Sequence, residues 1–214
     1  MDKNLIVGVI PDGNRTWRAT KNPSMDMVEV YKRGAKIAAQ IVQHALKRGD
    51  VSRLVFFALS KQDVRHRTKN ELAGIYEGTH EFISLVDSMQ DASIRCYGDT
   101  NSRYRLVQLG NACRMLRLRR EGACLHIDLL LNYSAEWDFA VRKLRTRSIP
   151  EIDAVIRTSG TQRLSGFLPL QSSYAELFFP STLWPDFTTA EFDEVLTRVI
   201  HTKEDFKRRG GRGA

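Results

Sequence analysis

Cysteine is scarce, with three residues in 214: Cys96, Cys113 and Cys124. An odd number with no Cys-x-x-Cys pair suggests neither a disulfide framework nor a zinc site, and a reducing cytoplasm is the expected compartment. No apolar run approaches the roughly 20 residues of a membrane-spanning helix. The opening MDKNLIVGVIPDG shows no small-residue cleavage site behind a basic leader. A soluble protein is expected, one that meets a membrane only at its surface. Gly/Ser tracts, internal repeats and composition breaks are missing too, so residues 1–214 are expected to form one domain, with a basic, glycine-rich tail from about 207. With 42% hydrophobic and 27% charged residues, a disordered or collagen-like chain is excluded.

Positive charge is the excess: 33 Lys+Arg against 25 Asp+Glu, a formal +8. Such a surplus suits a polyanionic partner, whether nucleic acid, an acidic membrane surface or a phosphorylated small molecule, and it equally suits a well-solvated surface. Charge alone does not choose among these.

Strand-like and helix-like stretches alternate along the whole chain. Short β-branched or aromatic runs at 5–10, 53–59, 93–97, 125–132, 154–157 and 176–179 read as strands. Helical recurrence of apolar residues marks 25–47, which ends at Gly49, then 70–89, 102–120, a stretch beginning near Ala135 and a last helix from about Thr189. This alternation predicts an α/β domain with a mostly parallel central sheet flanked by helices. Ligands of such sheets sit outside the carboxyl ends of the strands, which directs attention to the loops at 11–17, 60–67, 132–137 and 157–167.

The first of these, PDGNRTW, sets Asp12 beside turn-tolerant residues ahead of a helix start. Backbone N–H groups there attract an anion, and a neighbouring carboxylate can hold Mg²⁺ bridging to phosphate oxygens; a plain Asp-Gly turn is the alternative. The last, within IRTSGTQRLSGFLPLQSSYAELFF, places Arg157 and Arg163 on either side of a Thr-Ser-Gly turn, with Ser165 close behind and Glu176 further on. Two guanidinium forks and a hydroxyl are what a diphosphate needs, because bidentate charge-assisted bonds cover several oxygens at once. The other reading is a solvated charge cluster. No Gly-x-x-x-x-Gly-Lys-Ser/Thr sequence is present, so a nucleotide γ-phosphate is not the obvious anion.

Together these loops resemble those of the cis-prenyltransferases, the family of undecaprenyl diphosphate synthase. The segments that carry the resemblance are PDGNRTW, FFALS, LLLNYSAEWD and, above all, DAVIRTSGTQRLSGFLPLQSSYAELFFPSTLWPDF. The resemblance implies a Mg²⁺-dependent prenyl diphosphate synthase. By position, Asp12 matches the family's catalytic aspartate, which binds Mg²⁺ with the diphosphates. Gly13, Asn14 and Arg15, with Trp17 behind them, match the loop that cradles the allylic diphosphate. Arg157, Arg163 and Ser165 match a second diphosphate site, normally occupied by isopentenyl diphosphate, and Glu176 matches the glutamate that supports the metal across it. More loosely, Arg208-Arg209-Gly210-Gly211 resembles a C-terminal segment that reaches the neighbouring subunit's active site, so a homodimer is implied.

The chemistry agrees with those roles. An allylic diphosphate ionises when its leaving group is neutralised, and the carbocation must then be kept from water in an apolar cavity. Ile37, Ile41, Leu72, Ile75, Phe82 and Leu85 can line one, although each singly suits ordinary core packing.

Departures from the family pattern cluster on the allylic side. Thr16 occupies the usual arginine position, and Met27 and Tyr31 align with an arginine and a histidine. In the second loop Ser60 matches, Asp63 replaces an asparagine, and His66 replaces an arginine. An ionised Asp63 accepts only, so it can take a proton as general base, directly or through His66. Pro11, Pro169-Leu170 and a short connection over 137–153 point towards lavandulyl-type members. The resulting expectation is an irregular head-to-middle coupling: dimethylallyl diphosphate on Arg157, Arg163 and Ser165, and a dimethylallyl or geranyl diphosphate donor ionised near Asp12. Regular cis elongation with isopentenyl diphosphate is the alternative, and a non-catalytic partner subunit the second. A nucleic-acid binder rests on charge alone, without a motif.

Overall fold

The β-branched and aromatic runs of the sequence become six strands of one sheet. A computed structural model describes residues 4–99, 122–140 and 142–209. Its strands are β1 (Leu5–Ile10), β2 (Val51–Ser60), β3 (Ala92–Tyr97), β4 (Leu125–Tyr133), β5 (Ala154–Arg157) and β6 (Glu176–Phe178). All pairings are parallel, in the order β3-β4-β2-β1-β5-β6. The helices are α1 (Asn14–Lys21), α2 (Met27–Arg48), α3 (Lys61–His66), α4 (Lys69–Asp87), α5 (Ala135–Phe139) and α6 (Thr189–Arg208). The α/β class is therefore as expected; the helix expected over 102–120 and Gly210-Gly211 of the tail lie outside the described residues.

Inner strands carry apolar residues at nearly every position because both faces are covered. On one face Val9, Leu54, Phe56 and Ile127 share a buried cluster with Ile41 and Val42 of α2, Phe82 of α4 and Leu196 of α6. On the other, Val55, Phe57, Leu130 and Val155 pack with Phe167 and Leu168, which follow β5.

Caps set the helix boundaries. Asp26 accepts the Val28 N–H at 3.0 Å, so α2 starts two residues later than its periodic pattern, and it ends at Gly49. Thr68 with Glu71 opens α4 through a capping box. Helix α5 is short: Asp138 turns inward and accepts from Tyr133 Oη, from the Thr146 N–H and from Thr146 Oγ1. Gln171 Nε2 joins them at Thr146 Oγ1, and this buried polar network, not a long helix, carries the connection to β5.

Strand β1 leads on to β2 at one side while β5 lies on its other side, so a crevice opens past the carboxyl ends of β1 and β5. Gly8 allows one wall of it to approach. A methyl group at Gly8 would fall 2.6 Å from the Phe167 ring, which pins the loop after β5 onto the sheet. Gly8→Ala should therefore cost about 1–3 kcal/mol, read as a lower urea midpoint with unchanged slope.

Candidate functional site

Two loops meet in the crevice, 11–13 after β1 and 158–165 after β5. Thr158 clasps them: its Oγ1 accepts the Asp12 N–H at 2.9 Å and donates to the Asp12 carbonyl at 2.7 Å. Beside it the Arg157 side chain, only 6% exposed, donates from Nη2 and Nε to Asp12 Oδ2 at 2.6 and 3.2 Å. Its Nη1 donates to the Arg163 carbonyl at 2.6 Å and to Ser165 Oγ at 2.7 Å. Arg163 Nε adds a bond to the same hydroxyl at 3.3 Å. Ser159 and Ser165 hold φ values of 78° and 51°, a conformation that costs of order 1–3 kcal/mol at each residue and persists because these anchors fix it. Asp12, Arg157, Arg163 and Ser165, four residues expected from the sequence, thus form one cluster.

Asp12 remains 37% exposed, and its Oδ1 accepts the Gly13 N–H at 2.7 Å. Gly13 takes the left-handed conformation (φ 100°) and starts α1 without a side-chain cap, and the first N–H groups of a helix have no partner within it. Among the described residues no three His, Cys, Asp or Glu side chains come together as a metal cluster. The half-open carboxylate of Asp12 nonetheless fits Mg²⁺, which commonly takes one or two protein carboxylates and fills its remaining positions with water and phosphate oxygens.

Next to the charged cluster lies an apolar cavity of about 100 Å³. Ala35 and Ala38 of α2, Ile75 and Phe82 of α4, Phe56 of β2 and Leu129 of β4 form its walls. Phe56 and Phe82 meet edge-on with centroids 5.4 Å apart, and Phe56 sits level with Val9, one residue short of the end of β1. On β2 and β4 the facing pair Phe56 and Leu129 lies four residues before the strand ends, so the cavity is small but reaches below the rim of the sheet. Of the six lining candidates, Ile75 and Phe82 line it, whereas Ile41 and Leu72 are core and Ile37 and Leu85 pack against the core.

Pro11, Asn14, Tyr31 and Arg67 bring the cavity up to the Asp12 loop. Asn14 Nδ2 donates to the Pro11 carbonyl at 3.2 Å, and its buried Oδ1 has no partner among the described residues. Arg67 Nη1 donates to Tyr31 Oη at 2.8 Å. Burial raises the Tyr31 pKa against the pull of Arg67, so the phenol keeps its proton. Arg15 is exposed on α1, 3.7 Å from Glu71. Trp17 is buried beneath Arg33, whose guanidinium lies 5.0 Å from the ring centroid, and it braces α1 without lining the cavity.

Several of the expected residues have other surroundings within one chain. Ser60 and Asp63 are occupied as a capping box: Ser60 Oγ accepts the Asp63 N–H at 2.9 Å and donates to Asp63 Oδ2 at 2.7 Å. The other Asp63 oxygen takes Arg67 Nε at 3.1 Å. A proton relay from Asp63 to His66 is not formed, because His66 is exposed at the end of α3. Glu176 does not face Asp12 within one chain. It pairs with Ala154 at the start of β5, three strand residues or roughly 10 Å from Arg157 at the other end, and it accepts from Thr202 Oγ1 at 3.4 Å.

Arg67, Thr158 and Phe56 were not singled out by the sequence reading. The hydroxyl directly after Arg157 and the arginines flanking His66 were the available signals for the first two. Phe56 looked like any residue of a buried strand.

The model of the undecaprenyl diphosphate synthase family matches residues 10–142 and 139–207 of this chain. A geranylgeranyl-diphosphate-specific tritrans,polycis-undecaprenyl-diphosphate synthase from Aeropyrum pernix is 29% identical, over 92% of this chain and 94% of its own. A synthase of the same name from Pyrobaculum aerophilum is 30% identical over 96% and 95%. Among solved structures, lavandulyl diphosphate synthase from Lavandula x intermedia, in complex with dimethylallyl diphosphate, superposes with a TM-score of 0.74 at 25% identity, covering 92% of this chain and 94% of that one.

Glu71 ties this mouth together and supplies a pH test. Its pKa is held below the ordinary carboxylate range, first by the Thr68 N–H and then by the Thr68 hydroxyl and nearby arginines. A depressed folded-state pKa contributes stability above the unfolded value, and that contribution is lost as pH falls through the folded one. Glu71→Ala should cost about 1 kcal/mol at pH 7, and the gap to wild type should close in denaturation curves taken towards pH 3.

Proposed function

On the premise that this chain belongs to the undecaprenyl diphosphate synthase family of cis-prenyltransferases and is a prenyltransferase, we propose that it couples two short allylic diphosphates head to middle. Dimethylallyl diphosphate is the acceptor, and a dimethylallyl or geranyl diphosphate is the donor. The observation that carries this reading is the small cavity walled by Phe56 and Phe82 beside the Asp12 and Arg157 cluster. A cavity of about 150 Å³ already accepts benzene, so the space here suits a five-carbon unit better than a long growing chain. The likeness to lavandulyl diphosphate synthase supports the same reading.

In this mechanism Arg163 and Ser165 hold the acceptor's diphosphate, and Arg157 shifts a donor from Asp12 onto it. Asp12 would hold Mg²⁺, which supplies positive charge against the departing diphosphate of the donor. The donor C1–O bond breaks with its electron pair on oxygen, while the N–H groups of α1 receive the developing negative charge. The acceptor's C2=C3 π-bond attacks C1, leaving a tertiary cation at C3, and a methyl proton leaves to a diphosphate oxygen. Ala35, Ala38 and Phe82 exclude water from both cations. Asp63 is not assigned the proton, since its oxygens are held by Ser60 and Arg67.

Regular cis elongation is the second reading, favoured by the names of the synthases from Aeropyrum pernix and Pyrobaculum aerophilum. A homodimer belongs to the proposal: β6 is an edge strand with Leu177 exposed, and Tyr174 just before it is 81% exposed. No helix among the described residues is long and apolar enough to cross a membrane, and the sparse cysteines fit a cytoplasmic setting.

Incubation with Mg²⁺, dimethylallyl and geranyl diphosphates, with and without isopentenyl diphosphate, tests the coupling. Branched product should form without isopentenyl diphosphate; product that appears only with it and grows in five-carbon steps would overturn the proposal. Asp12→Asn, which keeps an acceptor for the Arg157 guanidinium, should lower turnover by roughly 10²–10³-fold. Phe82→Ala should shift donor preference from dimethylallyl towards geranyl diphosphate.

A further inference from the structure

Many basic side chains of this fold are answered by acids: Arg48, Arg53, Lys61, Arg67, Arg157 and Lys203 each pair with an aspartate. The turn that follows α5 is different. Residues 139–150 carry Arg142, Lys143, Arg145 and Arg147 with no acidic residue among them, and all four are exposed. The charged groups of Arg142, Lys143 and Arg147 form no hydrogen bond or ion pair among the described residues. Two exposed acids flank the turn, Glu136 and Glu151, and Glu136 is offset by the charges of Arg65 and Lys61. A local positive surplus is left facing water.

The turn is held in shape from within. Asp138, on the buried side of α5, accepts from the Thr146 N–H and from Thr146 Oγ1, while the Arg147 and Ile149 N–H groups close onto the Leu144 and Thr146 carbonyls. Thr146 is thereby buried, and Arg145 and Arg147 on either side of it are exposed. Arg145 lies over the Trp137 ring, 4.7 Å from its centroid, and donates to the Trp137 carbonyl. A preformed turn loses little freedom when a partner arrives.

Beside these cations, in the last turn of α5, Phe139 is 42% exposed. Cations next to an exposed aromatic ring match the two layers of a bilayer surface, anionic headgroups outside and hydrocarbon beneath them. A nucleic-acid duplex would meet the cations with phosphates but offer Phe139 no hydrocarbon. Position agrees: α5 leaves β4 at the carboxyl edge of the sheet, the edge at which Asp12 follows β1 and Arg157 ends β5.

We infer that Phe139, Arg142, Lys143, Arg145 and Arg147 form a docking face for an anionic bilayer, with the cations on lipid phosphates and the Phe139 ring at the edge of the hydrocarbon. Docking by this face gives part of the positive surplus a specific use, and it is independent of which coupling the crevice performs.

Flotation of the whole protein with vesicles of phosphatidylcholine alone, or of phosphatidylcholine and phosphatidylglycerol in equal parts, tests this face. Wild type should float with the mixed vesicles and not with the neutral ones, and should be released in about 1 M salt, where the Debye length falls to roughly 3 Å. The double variant Arg142→Glu, Lys143→Glu should bind the mixed vesicles about tenfold or more weakly, and Phe139→Ser should weaken binding by a smaller factor, each with an unchanged melting temperature. Lys36→Glu with Lys47→Glu, which makes the same charge change on exposed positions of α2, should weaken it far less. Equal weakening by the α2 variant would show that net charge alone acts and would overturn the inference. Equal flotation with neutral vesicles, or none with either kind, would overturn it as well. Binding to duplex DNA tighter than to the vesicles, lost in Arg142→Glu, Lys143→Glu, would make this a nucleic-acid face instead.

Discussion

The contact between Arg157 and Asp12 organises the rest of the site. A guanidinium at the end of a central strand is almost fully withdrawn from water, which is costly unless its donors are met. Asp12 meets two of them from β1, and the Arg163 carbonyl and the Ser165 hydroxyl meet Nη1 from the loop that follows β5. One side chain therefore fixes the distance between two loops that are 145 residues apart in sequence. It also holds Ser165 in a left-handed conformation that an isolated loop would abandon. A diphosphate bound here, as proposed, would find its oxygens' partners already in place and need only exchange with the Asp12 carboxylate, so little of its binding energy would go into ordering the site.

The second constraint is volume. Helices α2 and α4 lie over β2 and β4, and Phe56, Phe82 and Leu129 wall the small space between them. Charge and apolar surface are thereby separated across one short loop, 11–13. The proposed substrates, with a highly charged head and a short hydrocarbon tail, match that division.

Much of this was legible in the sequence, because the relevant signals were local. The strand Ala154–Arg157 followed by Thr158, Ser159 and Gly160 is a local turn signal, and Gly49 marked the end of α2, whereas its start at the Asp26 cap falls two residues later than the periodic pattern. Other features depended on tertiary register. Glu176 stood in a matching motif, yet parallel pairing with Ala154 sets it level with Val7, away from the Asp12 loop within one chain. Asp63 has the chemistry of a general base and, with Ser60, the spacing of the capping box that the structure shows. Arg67 lies one residue past the arginine position that His66 occupies, and its side chain lines the cavity.

The central claim is that the two halves, the Arg157 cluster and the small apolar cavity, serve one substrate pair. A crystal structure of the Mg²⁺ complex with the thiolo analogue of dimethylallyl diphosphate tests it most directly. One analogue diphosphate should lie on Arg157, Arg163 and Ser165, with Arg157 drawn off Asp12, and a second should place its prenyl chain against Phe56 and Phe82. Diphosphate bound elsewhere, or a chain that leaves the cavity empty and lies along the surface, would contradict the account.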